Sequence, residues 1–252
     1  MGVEGGPYTH NVAIGFSTDG VTVTGLTEVL AHASVPDGVR LPDGSTGIYY
    51  VNGETSGVWL GRLTGTTLTP VSAITVDGIF RPQGIVDPDV TLVNGKVRLA
   101  YLNGFGAPGA NRRAMCLAES SDGLTFRTLA MAWDVGLNPQ QTDPSMVQLP
   151  NGEWLMAMRD DNIVRLGRSS TGLAFTEYMQ LNLLGVVELG LTTDGRVRLY
   201  SCVGGISSHV SADNGVTWTA ERTVVPGGSL GRRVVCDPSW VPSAGLLVFK
   251  TE

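Results

Sequence analysis

Acidic residues that could do acid–base chemistry recur along the chain, each close to the beginning of a β-rich run. Two carboxyl groups that flank a glycosidic bond can hydrolyse it, one as proton donor and the other as base or nucleophile. Carboxylates crowded around one opening in a protein also raise each other's pKa, unless arginine, a metal or a ligand offsets their charge. The acids placed in this way are Asp37, Asp87, Asp89, Asp143, Glu188 and Asp237.

The β-rich runs that carry these acids belong to an internal repeat. Each copy has an acidic residue, a β run, a turn that ends in glycine and a second β run. The period is roughly 50 residues, which is typical of repeat architectures such as propellers. The turn glycines are Gly44, Gly95, Gly152, Gly195 and Gly245.

A second hairpin follows the first in every copy except the last. Its most complete turn is Ser211-Ala-Asp-Asn-Gly-Val-Thr-Trp218, and shorter versions begin at Ser17 and Ser120. In such a turn Ser and Asp bond the local backbone, Gly adopts a positive φ, and the aromatic residue packs into the core. These turns are therefore expected to stabilise the fold and not to catalyse.

Two hairpins per repeat make four strands, which is one propeller blade. The fifth copy ends after two strands, and the chain begins with two strands between Val12 and Gly25. We therefore predict an all-β, five-bladed β-propeller of one domain, closed by pairing of N-terminal outer strands with C-terminal inner strands. A β-sandwich would not explain the in-phase repeat. The predicted blades are 33–75, 85–130, 141–181, 185–225, and 234–252 together with 8–29.

Propeller geometry places the starts of the inner strands on one face, together with the links between blades. Each kind of residue on this face has two possible roles. The acids either bond the backbone of a neighbouring blade or take part in catalysis, and the arginines either pair with these acids or bind an anionic ligand. Trp133 either stacks on a sugar ring or fills the space between two blades. The candidate catalytic residues, at equivalent inner-strand starts, are Asp37, Asp89, Asp143 and Glu188. The candidate substrate-binding residues are Asp87, Arg81, Arg159, Trp133, Asp237 and Arg232.

The five-unit repeat with Asp-Pro at its inner strands resembles the five-bladed furanosidase-type glycoside hydrolases of families 43 and 32. The turn that ends at Trp218 resembles the Asp-box, or BNR, repeat of sialidase-like proteins. The hydrolase resemblance implies a base or nucleophile, a pKa-tuning Asp and a Glu acid in three successive blades. By position these are Asp37, Asp89 or Asp87, and Asp143. The Glu is absent from the third blade, and Glu188 lies one blade further on.

Composition narrows the classes of partner. The net charge of -6 argues against nucleic acid, and no apolar run is long enough to span a bilayer. The sequence as given, without a secretory signal, predicts a cytoplasmic monomer, or a secreted protein if a leader has been removed. Cys116, Cys202 and Cys236 are expected to be buried thiols. No metal or cofactor is predicted, although the acids of the channel could hold a structural cation.

Three functions remain open at this stage. The protein is a glycoside hydrolase, a non-catalytic glycan-binding or protein-interaction propeller, or an enzyme of another class that uses the same funnel for a small molecule. A carboxyl separation of about 5 Å would suit a retaining hydrolase, and about 6.5–9.5 Å an inverting one.

Overall fold

The computed structural model describes residues 6–77, 84–105, 113–136 and 138–252. These ranges form five sheets, each built around four antiparallel strands, which confirms the predicted five-bladed propeller. Short 3-10 turns occur at Gly6–Thr9, Ser229–Gly231 and Pro242–Ala244. Within the described ranges, no helix has the length and apolar character needed to cross a membrane.

The blades are numbered by the order of their inner strands. Blade 1 contains β3 (Ala33–Arg40), β4 (Thr46–Asn52), β5 (Val58–Thr64) and β6 (Thr67–Ala73). Blade 2 contains β8 (Val86–Val93), β9 (Lys96–Asn103), β10 (Arg113–Ser120), β11 (Thr125–Gly136) and the short β7 (Thr75–Asp77). Blade 3 contains β12 (Gln141–Gln148), β13 (Trp154–Asp160), β14 (Ile163–Ser169) and β15 (Thr176–Leu181). Blade 4 contains β16 (Val187–Leu191), β17 (Val197–Cys202), β18 (Ile206–Ser211) and β19 (Thr219–Val225).

Blade 5 closes the ring with strands from both parts of the chain. Its order is β2 (Thr24–Ala31), β1 (Asn11–Phe16), β21 (Leu246–Thr251) and β20 (Val235–Val241). Strand β1 pairs antiparallel with β21, with Ala13 opposite Phe249. Both of these side chains are fully buried, so closure also buries apolar surface. The predicted pairing of N-terminal and C-terminal strands is confirmed.

Blade 2 has one strand more than predicted. The chain leaving blade 1 runs along the outer edge of blade 2, where β7 pairs parallel with β11. This added strand covers backbone groups that an edge strand would otherwise expose.

Apolar side chains fill the spaces between neighbouring blades. One cluster joins blades 1 and 2 around Tyr49, Tyr101 and Phe126, and another joins blades 4 and 5 around Tyr200 and Trp240. The remaining three interfaces are packed in the same way. The core is therefore a ring of interfaces between sheets, and the axis itself is left to the starts of the inner strands.

The expectation of three free thiols is wrong for two of them. Cys202, at the end of β17, forms a disulfide with Cys236 of β20, while Cys116 is a buried free thiol. The disulfide links blade 4 to blade 5. The two cysteines are 34 residues apart in sequence. They meet because the packing of the blades in a ring places the end of β17 in blade 4 beside the start of β20 in blade 5.

The turns of the outer hairpins are anchored on the opposite face. Asp213 accepts the N–H groups of Val216 and Thr217 at 3.1 and 2.8 Å, as expected for such a turn. Tyrosines of neighbouring blades also bond these turns: the hydroxyl of Tyr200 in blade 4 donates to the Gly20 carbonyl of blade 5 at 2.8 Å. Trp218 is only half-buried, so it contributes less to the core than its position in the turn suggests.

Candidate functional site

The inner strands begin with a distorted backbone at the axis. In four blades the residue before a proline adopts a left-handed conformation, with φ of 46° at Val35, 53° at Asp87, 54° at Asp143 and 49° at Asp237. The strand pairing shifts by a bulge at each of these places. Consequently the residues before and after the proline both line the axial cavity. Such strained residues persist only where the surrounding structure holds them.

Two layers of side chains result. We call the position after the proline the lower tier and the position before it the upper tier, and blade 4, which lacks the proline, is assigned by its register. The lower tier consists of Asp37, Asp89, Ser145, Glu188 and Ser239. The upper tier consists of Val35, Asp87, Asp143, Val186 and Asp237.

A closed circle of hydrogen bonds joins the lower tier. Each lower-tier side chain accepts the backbone N–H of the residue that follows the lower-tier position in the next blade. The donors and acceptors are Val90 to Asp37, Met146 to Asp89 (3.1 Å), Leu189 to Ser145 (2.8 Å), Trp240 to Glu188, and Gly38 to Ser239 (2.9 Å). All five blades are therefore connected at the axis by the same contact.

The three lower-tier carboxyl groups are close together and out of water. Asp37, Asp89 and Glu188 each have an oxygen within 4.8 Å of the other two, and they are 4%, 4% and 8% exposed. Burial raises the pKa of Asp37 to about 7. Burial, together with the neighbouring charges, raises the pKa of Asp89 and of Glu188 well above the ordinary range. Shared protons can offset this charge, and the same oxygens are of the type that a hard cation prefers.

The upper tier has different surroundings. The N–H of Asp143 donates to Asp87 Oδ2 at 3.3 Å, and Thr142 Oγ1 donates to Asp143 Oδ2 at 2.5 Å. Lys250 Nζ lies 3.0 Å from Asp237 Oδ2. Among these contacts only the one from Asp143 to Asp87 joins two blades, so the upper tier does not form a second closed circle.

The pKa values of Asp87 and Asp143 are separated by their environments. Burial and the charge of Asp143 raise the pKa of Asp87 well above its ordinary value. The pKa of Asp143 is raised only to about 6, because Thr142, Lys250 and Arg159 partly offset burial and the charge of Asp237. Of the two groups, Asp87 therefore holds its proton more tightly than Asp143. A pair with divergent pKa values is the arrangement that acid–base catalysis needs.

The axial cavity is small. It has a volume of about 280 Å³ between its atoms, but the centre of a water molecule can occupy only about 20 Å³ of it. This is room for one or two water molecules. A sugar ring would therefore have to bind at the mouth, against the upper tier.

Three arginines in the strand ends and links of this face differ in their contacts. Arg232 forms a bidentate ion pair with Glu28, at 2.6 and 2.7 Å. Arg159, at the end of β13, is half-buried, and its guanidinium has no hydrogen bond or ion pair with the rest of the described chain. Arg113 donates to the carbonyls of Asn138 and Gln141 at 3.2 and 3.5 Å, while its Nε is buried without a partner among the described residues.

The structure brings together all six acids singled out from the sequence, because all of them line the axial cavity. Their expected equivalence is wrong: Asp37, Asp89 and Glu188 share the lower tier, whereas Asp143 belongs to the upper tier, since Ser145 takes the lower position of blade 3. The catalytic roles themselves stay predictions.

Three of the candidate substrate-binding residues lie away from this cavity or outside the described part. The ring of Trp133 packs against the backbone of Gly167 in the next blade, so it fills space between blades 2 and 3. Arg232 is engaged with Glu28. Arg81 lies outside the described residues.

Sequence reasoning missed Lys250, which neutralises part of the upper tier. Lys250 is opposite Cys236 in the pairing of β20 with β21, one residue before Asp237. Its position at the end of a second strand, the same place as Arg159 in blade 3, was the available signal. His10 was also missed: its Nδ1 lies 2.7 Å from Ser34 Oγ and its Nε2 lies 3.4 Å from Glu252.

Comparison with known proteins identifies the fold. No family model and no curated protein matches the sequence. An α-L-arabinofuranosidase from Clostridium thermocellum superposes with a TM-score of 0.62 at 11% identity, covering 81% of this chain and 77% of that one. The arabinanase Arb43A from Bacillus subtilis gives 0.62 at 14% identity, covering 87% and 95%. The chain has the fold of the family 43 glycoside hydrolases.

A third solved structure has the same architecture. A putative exo-β-1,3-galactanase from Bifidobacterium bifidum matches with a TM-score of 0.55 at 12% identity, over 83% of this chain and 76% of that one. At these identities the similarity establishes the glycoside-hydrolase-like propeller and not the chemistry. The chemistry has to be argued from the tiers.

Proposed function

We propose that this protein binds a carbohydrate at the mouth of the axial funnel and hydrolyses a glycosidic bond there. Asp87 acts as the proton donor, and Asp143 acts as the base or nucleophile. The observation that carries the proposal is this pair of adjacent upper-tier carboxyl groups, of which Asp87 holds its proton more tightly than Asp143.

Each group then has a defined part in the reaction. The O–H of Asp87 donates its proton to the leaving glycosidic oxygen as the bond to the anomeric carbon breaks. The carboxylate of Asp143, oriented by Thr142, takes a proton from the attacking water or attacks the anomeric carbon itself. Asp237, paired with Lys250, lines the same cavity and accepts a hydrogen bond from a hydroxyl group of the sugar.

The lower tier has a structural role in this proposal. Its carboxyl oxygens are within 4.8 Å of one another, where only one or two water molecules fit, and they accept the amides that join the blades. No sugar ring can enter between them. The roles predicted for Asp37, Asp89 and Glu188 as catalysts stay predictions.

The structural neighbours support the substrate class. Those named above are an arabinofuranosidase, an arabinanase and a putative galactanase, all of which act on carbohydrate. A non-catalytic glycan-binding propeller is the second candidate, and it is favoured by the absence of a glutamate from the upper tier.

The test is turnover of a panel of aryl glycosides and plant oligosaccharides by the full chain and two variants. Asp87→Asn and Asp143→Asn should each lower the rate by on the order of 10²-fold or more, with the melting temperature retained. The acidic limb of the rate profile should follow the pKa of Asp143, about 6. Asp194→Asn, at an exposed ion pair on the opposite face, is the control and should be fully active.

Glycan binding without any turnover would select the second candidate. No binding and no turnover across the panel would contradict both.

A further inference from the structure

The cationic side chains of the strand ends and links on the acidic face differ in whether they form an ion pair with a carboxylate. Among the described residues, Lys250 is paired with Asp237, Arg165 with Asp160, Arg232 with Glu28 and Arg233 with Glu252. Arg159 and Arg113 form no direct ion pair within this part of the chain, although their charges act on Asp143 and Asp87. Two guanidinium groups of adjacent blades, near the upper-tier pair, are thus free of a direct ion pair with the described residues.

Arg159 forms no ion pair with Asp160, the carboxylate that directly follows it in sequence. Asp160 is occupied by Arg165 at 2.5 Å, and it also accepts the side-chain amides of Gln141 and Asn138 at 3.1 Å. Strand pairing sets Arg159 opposite Thr142, the residue that precedes Asp143. Its charge therefore lies beside the upper-tier pair and is available to a ligand there.

Arg113 lies near Asp87, the other member of the upper-tier pair. Two of its nitrogens bond backbone carbonyls, which orient the group without neutralising it, and its Nε is buried and unpartnered. The guanidinium carbon lies 5.4 Å from the centre of the Phe105 ring, which is 49% exposed. The carboxyl group that acts on Arg113 is Asp87, and the raised pKa of Asp87 favours its neutral form.

We infer that the saccharide bound at this mouth carries a carboxylate, as a uronic acid does, and that Arg159, with Arg113, binds that carboxylate. A planar guanidinium matches a carboxylate with two parallel hydrogen bonds, and burial strengthens such a bond relative to water. The exposed Phe105 ring offers an apolar surface to the same sugar. This inference rests on the proposed function, since it names the substrate class of the same site.

Oligosaccharides and their carboxyl-reduced forms provide the test, because reduction turns each uronic acid into the neutral sugar with the same linkages. Oligogalacturonides, glucuronoxylan oligosaccharides and alginate oligosaccharides are titrated into the full chain by calorimetry, each beside its reduced form. At least one acidic oligosaccharide should bind about tenfold or more tightly than its reduced form, and added salt should lessen the preference.

Arg159→Gln should abolish the preference, and Arg159→Lys should restore part of it. The matched control is Arg196→Gln, which removes one positive charge from an exposed ion pair on the opposite face; this variant should keep the preference. Equal binding of acidic and reduced forms would overturn the substrate class and leave the proposed function standing. If neither form of any oligosaccharide bound, the proposed function would fail, and this inference with it.

Discussion

The two tiers of carboxyl groups line one cavity, yet they are held in different ways. In the lower tier, every side chain accepts an amide from the next blade, and the circle of five bonds closes on itself. In the upper tier, Asp237 is paired with Lys250, and Asp87 and Asp143 contact each other. One tier is built to hold the blades together, and the other leaves carboxyl groups at the mouth with separated pKa values.

This difference shows why a buried acid in a funnel is not by itself a catalyst. Asp89 and Asp87 are two residues apart and both line the cavity. Both accept a backbone amide of blade 3, but the bond of Asp89 belongs to the closed circle, whereas Asp87 also faces the carboxyl group of Asp143 and the charge of Arg113. The surroundings of a carboxyl group, and not how deeply it is buried, separate the two roles.

The largest effect is expected when a lower-tier acceptor is removed. Asp37→Ala leaves the amide of Val90 without a partner in the interior and opens a cavity, so the free energy of unfolding should fall by about 3 kcal/mol. Ser239→Ala removes the acceptor of the Gly38 amide with little loss of volume and should cost less, roughly 1–2 kcal/mol. Denaturant titration followed by tryptophan fluorescence measures both.

Asp194→Ala is the control for that titration, because Asp194 is exposed and pairs only within its own turn and with Arg196. It should change stability by no more than about 0.5 kcal/mol. If Asp37→Ala were equally harmless, the circle of amides would not be what holds the blades at the axis.

A smaller effect should appear in the dependence of stability on pH. The pKa of Asp37 in the folded protein, about 7, lies above the ordinary value for an unfolded chain, and the pKa values of Asp89 and Glu188 are also raised. The folded state therefore binds protons more tightly, and this contribution to stability is complete below about pH 4 and is lost as pH rises through 7. Melting temperatures from pH 4 to 8 should decline.

Asp37→Asn should make that decline shallower, because asparagine keeps an acceptor for the Val90 amide and does not ionise. Glu28 provides an internal contrast. Its ion pair with Arg232 holds its pKa at about 2, so its contribution is present above the unfolded value and is lost only below about pH 4. A wild-type melting temperature that rose steadily from pH 4 to 8 would contradict the raised pKa values of the lower tier.

Much of this arrangement could be predicted from the sequence. Regular turn glycines and recurrent Asp-Pro pairs predict five blades with acids at one mouth, and the two half-blades at the chain ends predict the closure. These features are local or periodic, so the linear pattern carries them.

The division into tiers could not be predicted in the same way. It depends on the bulge at the left-handed residue before each proline, which turns both Asp87 and Asp89 to the cavity. The Cys202–Cys236 disulfide and the contact of Trp133 with Gly167 join different blades, and nothing in their linear spacing indicates them. Such details follow from the way that blades pack and not from the repeat.

The most direct test of the division between tiers makes the same Asp-to-Asn substitution in each tier and measures both the turnover rate and the melting temperature. Asp37→Asn and Asp143→Asn each replace one cavity-lining carboxyl group with an amide of nearly the same shape. On a substrate identified from the glycoside panel, Asp143→Asn should lose on the order of 10²-fold or more of the turnover rate at an unchanged melting temperature. Asp37→Asn should keep most of the rate and alter the dependence of melting temperature on pH. The opposite result, with turnover lost in Asp37→Asn and kept in Asp143→Asn, would contradict the assignment of chemistry to the upper tier.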